Sequence, residues 1–142
     1  MPAFSTFGFI PIVKELLNVR SGTVLTAVTA STVKTTGALG FQAIVEEFGF
    51  DVEDILVGTG SSTATFTLKD GSDHVLATVV ITEAAGAAGH TFSSTTITKT
   101  NNYHKLQDAS VLKVVRTATG TAFTSGSGHF WVRLAVKAQQ EA

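Results

Sequence analysis

A two-residue periodicity near the end of the chain is the feature that most constrains its fold. Within residues 130–137, large apolar side chains (Phe, Val, Leu, Val) alternate with Trp, Arg, Ala and Lys. Successive side chains of a β-strand point to opposite faces of the sheet, so this pattern is typical of a strand with one buried face. The segment therefore predicts a strand that packs one face against a core.

Segments of this kind recur along the chain, with turn signals roughly every 8–12 residues. The clearest pair is residues 62–69 and 74–82, where apolar side chains alternate with threonine and Asp70-Gly71 provides turn residues that accept positive φ. Residues 14–19 fit either a helical turn or a short strand, and residues 31–40 are predicted to be a connection. The other predicted strands are residues 23–29, 41–48, 55–57, 91–100, 111–116 and 129–138.

About eight such strands, with no helix long enough to cover a parallel sheet, predict an all-β protein. The expected architecture is an antiparallel two-sheet β-sandwich, and a jelly roll is the expected wiring.

The first residues predict an extended apolar N-terminal arm, residues 1–13, followed by a β-sandwich domain, residues 14–142. Pro2 and Pro11 favour extended geometry in the residues before them. The apolar side chains of the arm are predicted to dock into a groove, either on their own domain or on a neighbouring molecule. The predicted arm anchors are Phe4, Phe7, Phe9, Ile10 and Ile12.

The charge and composition of the chain limit the classes of partner that it can bind. The chain has 142 residues, no cysteine and a net charge of −1, and only 15% of its residues are charged, against about 25% in a typical protein. The low charge indicates a protein that hides part of its surface in an assembly. We expect no nucleic-acid partner, because there is no basic field. No secretion signal and no apolar run of roughly 20 residues is present, which predicts a soluble protein made in a cytoplasm and no membrane partner.

Motifs that could support catalysis or a cofactor are weak. Residues 58–62 are rich in glycine and serine but lack the lysine and the following helix of a phosphate loop. Residues 124–128 lack the first glycine of a nucleophile elbow. The four histidines, His74, His90, His104 and His129, do not have the spacing of metal ligands. The sequence therefore predicts no enzyme, no cofactor and no metal site.

Two alternatives remain open for the polar and aromatic side chains. Two groups of carboxylates could bind Ca²⁺, but the pattern of a calcium loop is absent, so a solvated rim or partners for Lys and Arg are favoured. One group is Asp70 and Asp73, and the other is Glu46, Glu47, Asp51, Glu53 and Asp54. Trp131 and Tyr103 could form a sugar-stacking platform. The pattern does not decide whether Trp131 faces the core or an interface.

Several segments together resemble the small β-sandwich decoration, or cement, proteins of tailed-bacteriophage heads. They are residues 22–28, the strand 41–48, residues 57–60, the hairpin 66–80 around Asp70-Gly71, and residues 111–138. The resemblance implies a jelly-roll-like protomer, often a homotrimer, that binds the major capsid protein on the outer surface of the expanded head. It implies no catalytic residues.

The expected function is therefore that of a structural virion protein, made in the host cytoplasm, that decorates and stabilises a phage capsid by bridging neighbouring capsomers. The alternative is a carbohydrate-binding or adhesive β-sandwich module on a virion or cell-surface appendage.

Overall fold

The computed structural model describes residues 9–19, 25, 30–117 and 121–137. These ranges contain nine strands: β1 (Phe9–Val19), β2 (Ser31–Thr35), β3 (Ala43–Val57), β4 (Thr63–Asp70), β5 (Val75–Thr82), β6 (Thr91–Ser94), β7 (Lys105–Leu106), β8 (Leu112–Thr117) and β9 (Ser125–Lys137). Two short 3₁₀ helices, Glu83–Ala85 and Thr100–Asn102, lie in the connections. Nothing in the described part of the chain is a helix of the length and apolarity needed to cross a membrane.

The strands form two antiparallel sheets that pack as a β-sandwich, as the sequence predicts. One sheet has the order β1-β9-β3-β6, with the short strand β7 also paired to β3, and the other has the order β2-β8-β4-β5. The chain thus passes repeatedly between the sheets, and its last long strand inserts between the first and the third. This is the wiring of a jelly roll, in which two Greek keys wrap around one core.

Alternation within the strands builds the core between the sheets. The even-numbered side chains Phe130, Val132 and Leu134 of β9 are fully buried. The ring of Phe130 lies 4.7 Å from that of Phe66 on the opposite sheet and 4.8 Å from that of Phe50 on the neighbouring strand, measured between centroids. Such offset aromatic contacts add to the stabilisation that burial itself provides. Phe130 therefore packs against aromatic residues of both sheets at the centre of the core.

One charged side chain lies in this core. Arg116 on β8 is fully buried, and its guanidinium carbon lies 5.6 Å from the centroid of the Phe66 ring. Burial lowers the pKa of Arg116, because the charged form loses its solvation. The aromatic face offers the cation an electrostatic contact that does not require water.

Three parts of the sequence prediction were wrong about where strands begin and end. The strand predicted over residues 91–100 ends at Ser94. The residues predicted as a connection after position 30 contain the edge strand β2, and the predicted break around residues 50–54 lies within the continuous strand β3. The acidic residues that suggested a break point outward, while Phe50 and Val52 between them are buried. Register shifts at Val45/Glu47, Val52/Asp54 and Asp54/Val57 show that β3 accommodates irregularities without ending.

The hairpin of β4 and β5 is confirmed, but its turn differs from the prediction. Thr63 pairs with Thr82, and Phe66 pairs with Val79. At these positions a threonine therefore lies opposite a threonine, and an apolar residue lies opposite an apolar residue. The residue with positive φ in the turn is Asp73, at 68°, and not Gly71. The connection is thus longer than the two-residue turn typical of Asp-Gly.

Strand β1 includes part of the segment predicted as an arm. Its backbone pairs along its length with β9, from Phe9 opposite Lys137 to Val19 opposite Gly128. Residues 14–19, for which helix and strand were both open, therefore belong to a strand. The predicted boundary after residue 13 falls within β1, whereas residues 1–8 lie outside the described residues. The strand predicted at residues 23–29 also lies outside them, apart from the buried Leu25.

Candidate interaction surfaces

Trp131 lies on the outer face of the five-stranded sheet, which answers the question that the sequence left open. It pairs with Gly49 on β3, and a Cβ at Gly49 would overlap with the indole. The missing side chain thus lets the ring lie flat on the neighbouring strand. The indole N–H donates to Asp51 Oδ1 over 3.0 Å, and that oxygen also accepts from the Thr91 hydroxyl over 2.7 Å.

His129, two residues away on β9, lies between two carboxylates. Its Nε2 is 3.3 Å from Asp51 Oδ2, and its Nδ1 is 3.2 Å from Glu53 Oε1. Both ring nitrogens of an imidazole donate only when the ring is protonated. Nearby, the Ser127 hydroxyl donates to Asp54 Oδ2 over 2.6 Å. Asp51, Glu53, His129 and Trp131 thus form one polar network across β3 and β9, and the Ser127–Asp54 pair is a separate contact between the same strands.

Arg133 completes the row of outward side chains on β9. Its Nη2 lies 3.0 Å from Glu47 Oε1, and its Nε lies 3.6 Å from Glu46 Oε2. The expectation that the acidic residues would pair with basic side chains is therefore confirmed for these two. We call the outer surface of β3 and β9 the acidic face; its carboxylates are Glu46, Glu47, Asp51, Glu53 and Asp54.

The outer surface of the four-stranded sheet has a different chemistry. In its register, Thr65 lies opposite both Val80 and Thr117, and Thr67 lies opposite Thr78 and Val115. The central side chains of this surface are uncharged. We call it the threonine face; its members are Thr32, Thr35, Thr63, Thr65, Thr67, Val75, Thr78, Val80, Thr82, Val115 and Thr117.

On the outer surface of this sheet, the charged side chains that the structure describes lie at one end. Lys69 and Lys113 lie directly opposite each other next to the β4–β5 turn. Like charges in that position repel, and the Asp73 carboxylate, 2.6 Å from the Lys113 ammonium, offsets the repulsion.

The β4–β5 turn is held by a carboxylate of its own. Asp70 Oδ1 accepts from the backbone N–H groups of Ser72 and His74, each over 2.9 Å, and Asp70 Oδ2 lies 2.7 Å from His74 Nδ1. Desolvation opposes ionisation of Asp70, but these hydrogen bonds and the nearby imidazole outweigh it and lower its pKa. The His74 ring stacks in parallel on Tyr103, with 3.4 Å between centroids. Tyr103 is thus engaged in packing.

The loop considered as a phosphate cradle binds a carboxylate of the chain itself. Glu83 Oε1 accepts from the backbone N–H of Gly58 over 2.8 Å, while Oε2 accepts from those of Gly60 and Ser62 over 2.7 and 3.4 Å. Converging backbone amides of this kind form an anion-binding concavity. Desolvation raises the pKa of Glu83, but these backbone donors outweigh it, and the net pKa is lowered. The loop is an anion site whose anion is Glu83.

We predict that Glu83→Gln lowers the urea midpoint of unfolding at pH 7, because the amide group presents donors to donors. The folded-state pKa of Glu83 lies below 4.5, the ordinary value of a glutamate side chain. Its contribution is therefore present above about pH 4.5 and is lost as the pH falls through the folded-state value. The difference between variant and wild type should shrink between pH 7 and pH 3. The exposed Asp108, replaced in Asp108→Asn, is the matched control, and an equal loss in both variants contradicts the prediction.

The histidines do not form a metal site. In the described residues no group of three or more His, Cys, Asp and Glu side chains could hold a metal ion. His90 packs edge-on against Phe92, with 4.6 Å between ring centroids. His104 is buried, and burial, assisted by the nearby Lys105 and Lys99, lowers its pKa. These two histidines are packing residues.

The predicted arm anchors fall in two groups. Phe4 and Phe7 lie outside the described residues. Phe9, Ile10 and Ile12 lie on β1, where their backbones are opposite Lys137, Val136 and Leu134 of β9. The structure does not test their role in an interface, which stays a prediction.

Sequence reasoning missed the two sheet faces as surfaces. The signal for the threonine face was present, because threonine occupies every second position of residues 63–67. The network around Trp131 had no such signal, because Gly49 and Asp51 are about 80 residues away from their partners on β9.

No protein-family model and no curated protein matches this chain. Several solved structures are similar in fold. A chain of the capsid of Ralstonia phage GP4 is 14% identical, with 99% of this chain and 91% of that chain covered and a TM-score of 0.48.

Two further similar structures have other origins. The CBM36-1 domain of a multidomain xylanase from the hindgut metagenome of Trinervitermes trinervoides is 9% identical, with coverage of 94% and 100% and a TM-score of 0.44. The VP2 subviral particle of infectious bursal disease virus is 14% identical, with coverage of 89% and 32% and a TM-score of 0.40. Identities and TM-scores of this size assign neither a family nor a function to the chain.

Proposed function

We propose that this chain is a structural virion protein that decorates the outer surface of a phage capsid and stabilises it by bridging neighbouring capsomers. The observation that carries the proposal is the contrast between the two outer faces of one sandwich. The acidic face bears five carboxylates, and the threonine face is uncharged at its centre. A protein that bridges neighbouring molecules needs at least two separate contact surfaces on a single rigid body, and two faces on opposite sides of one sandwich support such a role.

The mechanism that we propose is geometric and involves no bond-making step. A jelly roll with an aromatic core transmits force between its two faces with little deformation, because interiors of this kind are close-packed. Each contact with the shell buries a modest area, and a specific one should exceed about 1,000 Å² in total. Repetition over a symmetric lattice then multiplies weak contacts through effective concentration.

The partners that we propose are the major capsid protein and further copies of this chain, with the trimer that the sequence resemblance implies as the expected oligomer. Synthesis in the host cytoplasm and addition to the expanded head follow from the same proposal. The low charge of the chain, 15% of residues, supports an assembled state in which part of the surface is covered.

The test is cosedimentation of the purified protein with empty expanded heads of the phage that encodes it. We expect the full chain to sediment with the heads and a variant without residues 2–8 to remain in the supernatant, since it loses the predicted anchors Phe4 and Phe7. This deletion spares β1, which pairs with β9 from Phe9 onward, so the core should stay folded by circular dichroism. Failure of the full chain to bind heads overturns the function, and normal binding by the deletion variant overturns the role of the arm.

A second candidate function is supported by Trp131. The indole is half-buried on an open sheet face, next to Asp51, His129 and Arg133, and an aromatic ring beside polar side chains is suited to stacking on a sugar. A carbohydrate-binding or adhesive module predicts a signal on a broad glycan array that Trp131→Ala removes and Tyr103→Ala retains. Absence of any signal from the wild type counts against this candidate.

A further inference from the structure

The threonine face extends over the four strands of its sheet and has no charged side chain at its centre. Of its members, Val80 and Val75 are 49% and 44% exposed. The hydroxyl of Thr67 lies 3.4 Å from that of Thr78 and 3.5 Å from that of Thr117, in long contacts across the strands. The hydroxyls at the centre thus have partners within the sheet, which lowers the cost of removing them from water.

The charge of each outer face determines whether that face can contact the same face of a second copy. A contact about a two-fold axis brings each surface patch against the same patch of a second copy. On the acidic face this would place five carboxylates opposite five others, and among the described side chains of that face only Arg133 carries a permanent positive charge. On the threonine face no charge opposes another at the centre, and Lys69 and Lys113 lie at one end.

The area of the face sets the expected affinity. Four strands about 4.8 Å apart and about six residues long cover roughly 20 Å by 20 Å. Two such faces together bury roughly 800 Å² before side-chain relief is counted, which is below the roughly 1,000 Å² of a stable specific interface and in the range of weak, transient contacts. The contact should therefore be weak in free solution and become populated at high local concentration, as on a lattice.

We propose that the threonine face is a two-fold contact between two copies of this chain. The inference rests on the proposed function in that it names a surface through which copies meet on the shell. This contact joins two protomers. If the protomers also form trimers through another surface, the same contact joins one trimer to another.

The experiment is sedimentation equilibrium from about 10 to about 500 µM, the range that a weak contact requires. We expect the average mass of the wild type to rise towards twice its low-concentration value. Val80→Lys should keep the low-concentration mass over the whole range. The two-fold axis brings the substituted residue of both copies into the contact, so two lysine charges would have to be removed from water there. Ile55→Lys is the matched control, since Ile55 is a β-branched residue 60% exposed on the other sheet, and it should associate like the wild type.

A second variant distinguishes association through the face from association through the edge strand β5. Val115→Lys lies on β8, between β2 and β4, so it disturbs the face without touching the edge, and it too should stay at the low mass. The inference is overturned if the wild-type mass is constant over the range, if either face variant associates normally, or if Ile55→Lys also fails to associate. A wild type that pairs but does not bind heads overturns the proposed function alone, and one that binds heads at constant solution mass overturns this inference alone.

Discussion

Phe130→Ala is expected to lower the free energy of unfolding by about 3–5 kcal/mol, the usual loss when a buried phenylalanine is truncated. The ring is fully buried and contacts Phe66 across the sandwich as well as Phe48 and Phe50 on its own sheet. Three aromatic neighbours from two sheets cannot all move into the cavity, so little of the loss is recovered. Since domains of this kind are stable by about 5–15 kcal/mol in total, the variant should be close to its unfolding threshold at 25 °C.

Equilibrium unfolding in urea, followed by the fluorescence of the single tryptophan, measures this difference. Phe92→Ala is the control, because Phe92 lies on the short strand β6 at the edge of the five-stranded sheet and is 9% exposed. Its loss should be clearly smaller. Equal losses for the two variants would show that Phe130 is not the centre of the core.

The alternation of side chains predicted the parts of the fold that depend on local sequence. The buried faces of β4 and β9 follow directly from the two-residue period, as Phe66, Leu68, Phe130 and Val132 show. The two-sheet arrangement follows in turn, because several strands that are each apolar on one face must pack those faces together.

The errors arose where a strand departs from the average composition of strands. Strand β3 carries five acidic residues, and acidic residues are uncommon in strands because most strands are half-buried. Its carboxylates are stabilised by partners on β9, among them Arg133 and His129. Strand β2 is short and lies at the edge of its sheet, where pairing with β8 supplies the order that local pattern does not.

The surfaces could be predicted only in part. Threonine at every second position of residues 63–67 predicts a face rich in threonine, whereas the extension of this face over β2, β5 and β8 depends on register. The position of Trp131 depends on Gly49, which is distant in sequence. Since glycine has no side chain, the sequence pattern around Gly49 does not indicate this contact. Contacts of this kind are properties of the fold and not of any segment.

Gly128→Ala is the second substitution for which a large effect is expected, at about 3 kcal/mol or more, the upper part of the range for overpacked cores. Gly128 is buried on the inner face of β9. A Cβ there would overlap with the backbone carbonyl oxygen of Asp51 on the paired strand and would lie 2.5 Å from Cζ of Phe50. The carbonyl oxygen is fixed by the strand, and the Phe50 ring is fully buried against Phe130, so neither group can move aside.

Gly37→Ala separates this steric effect from the general effect of replacing glycine. A Cβ at Gly37 would meet nothing within 4 Å, so that variant should be as stable as the wild type or slightly more stable, because alanine restricts the unfolded chain. Urea unfolding of both variants by the same fluorescence signal gives the comparison. If Gly128→Ala is as stable as the wild type, β3 and β9 can separate locally at low cost. That result would contradict the claim that the acidic face is rigidly connected to the core. A large loss for Gly128→Ala alone supports the view that β3 and β9 hold this face in one fixed shape, which a bridging role requires.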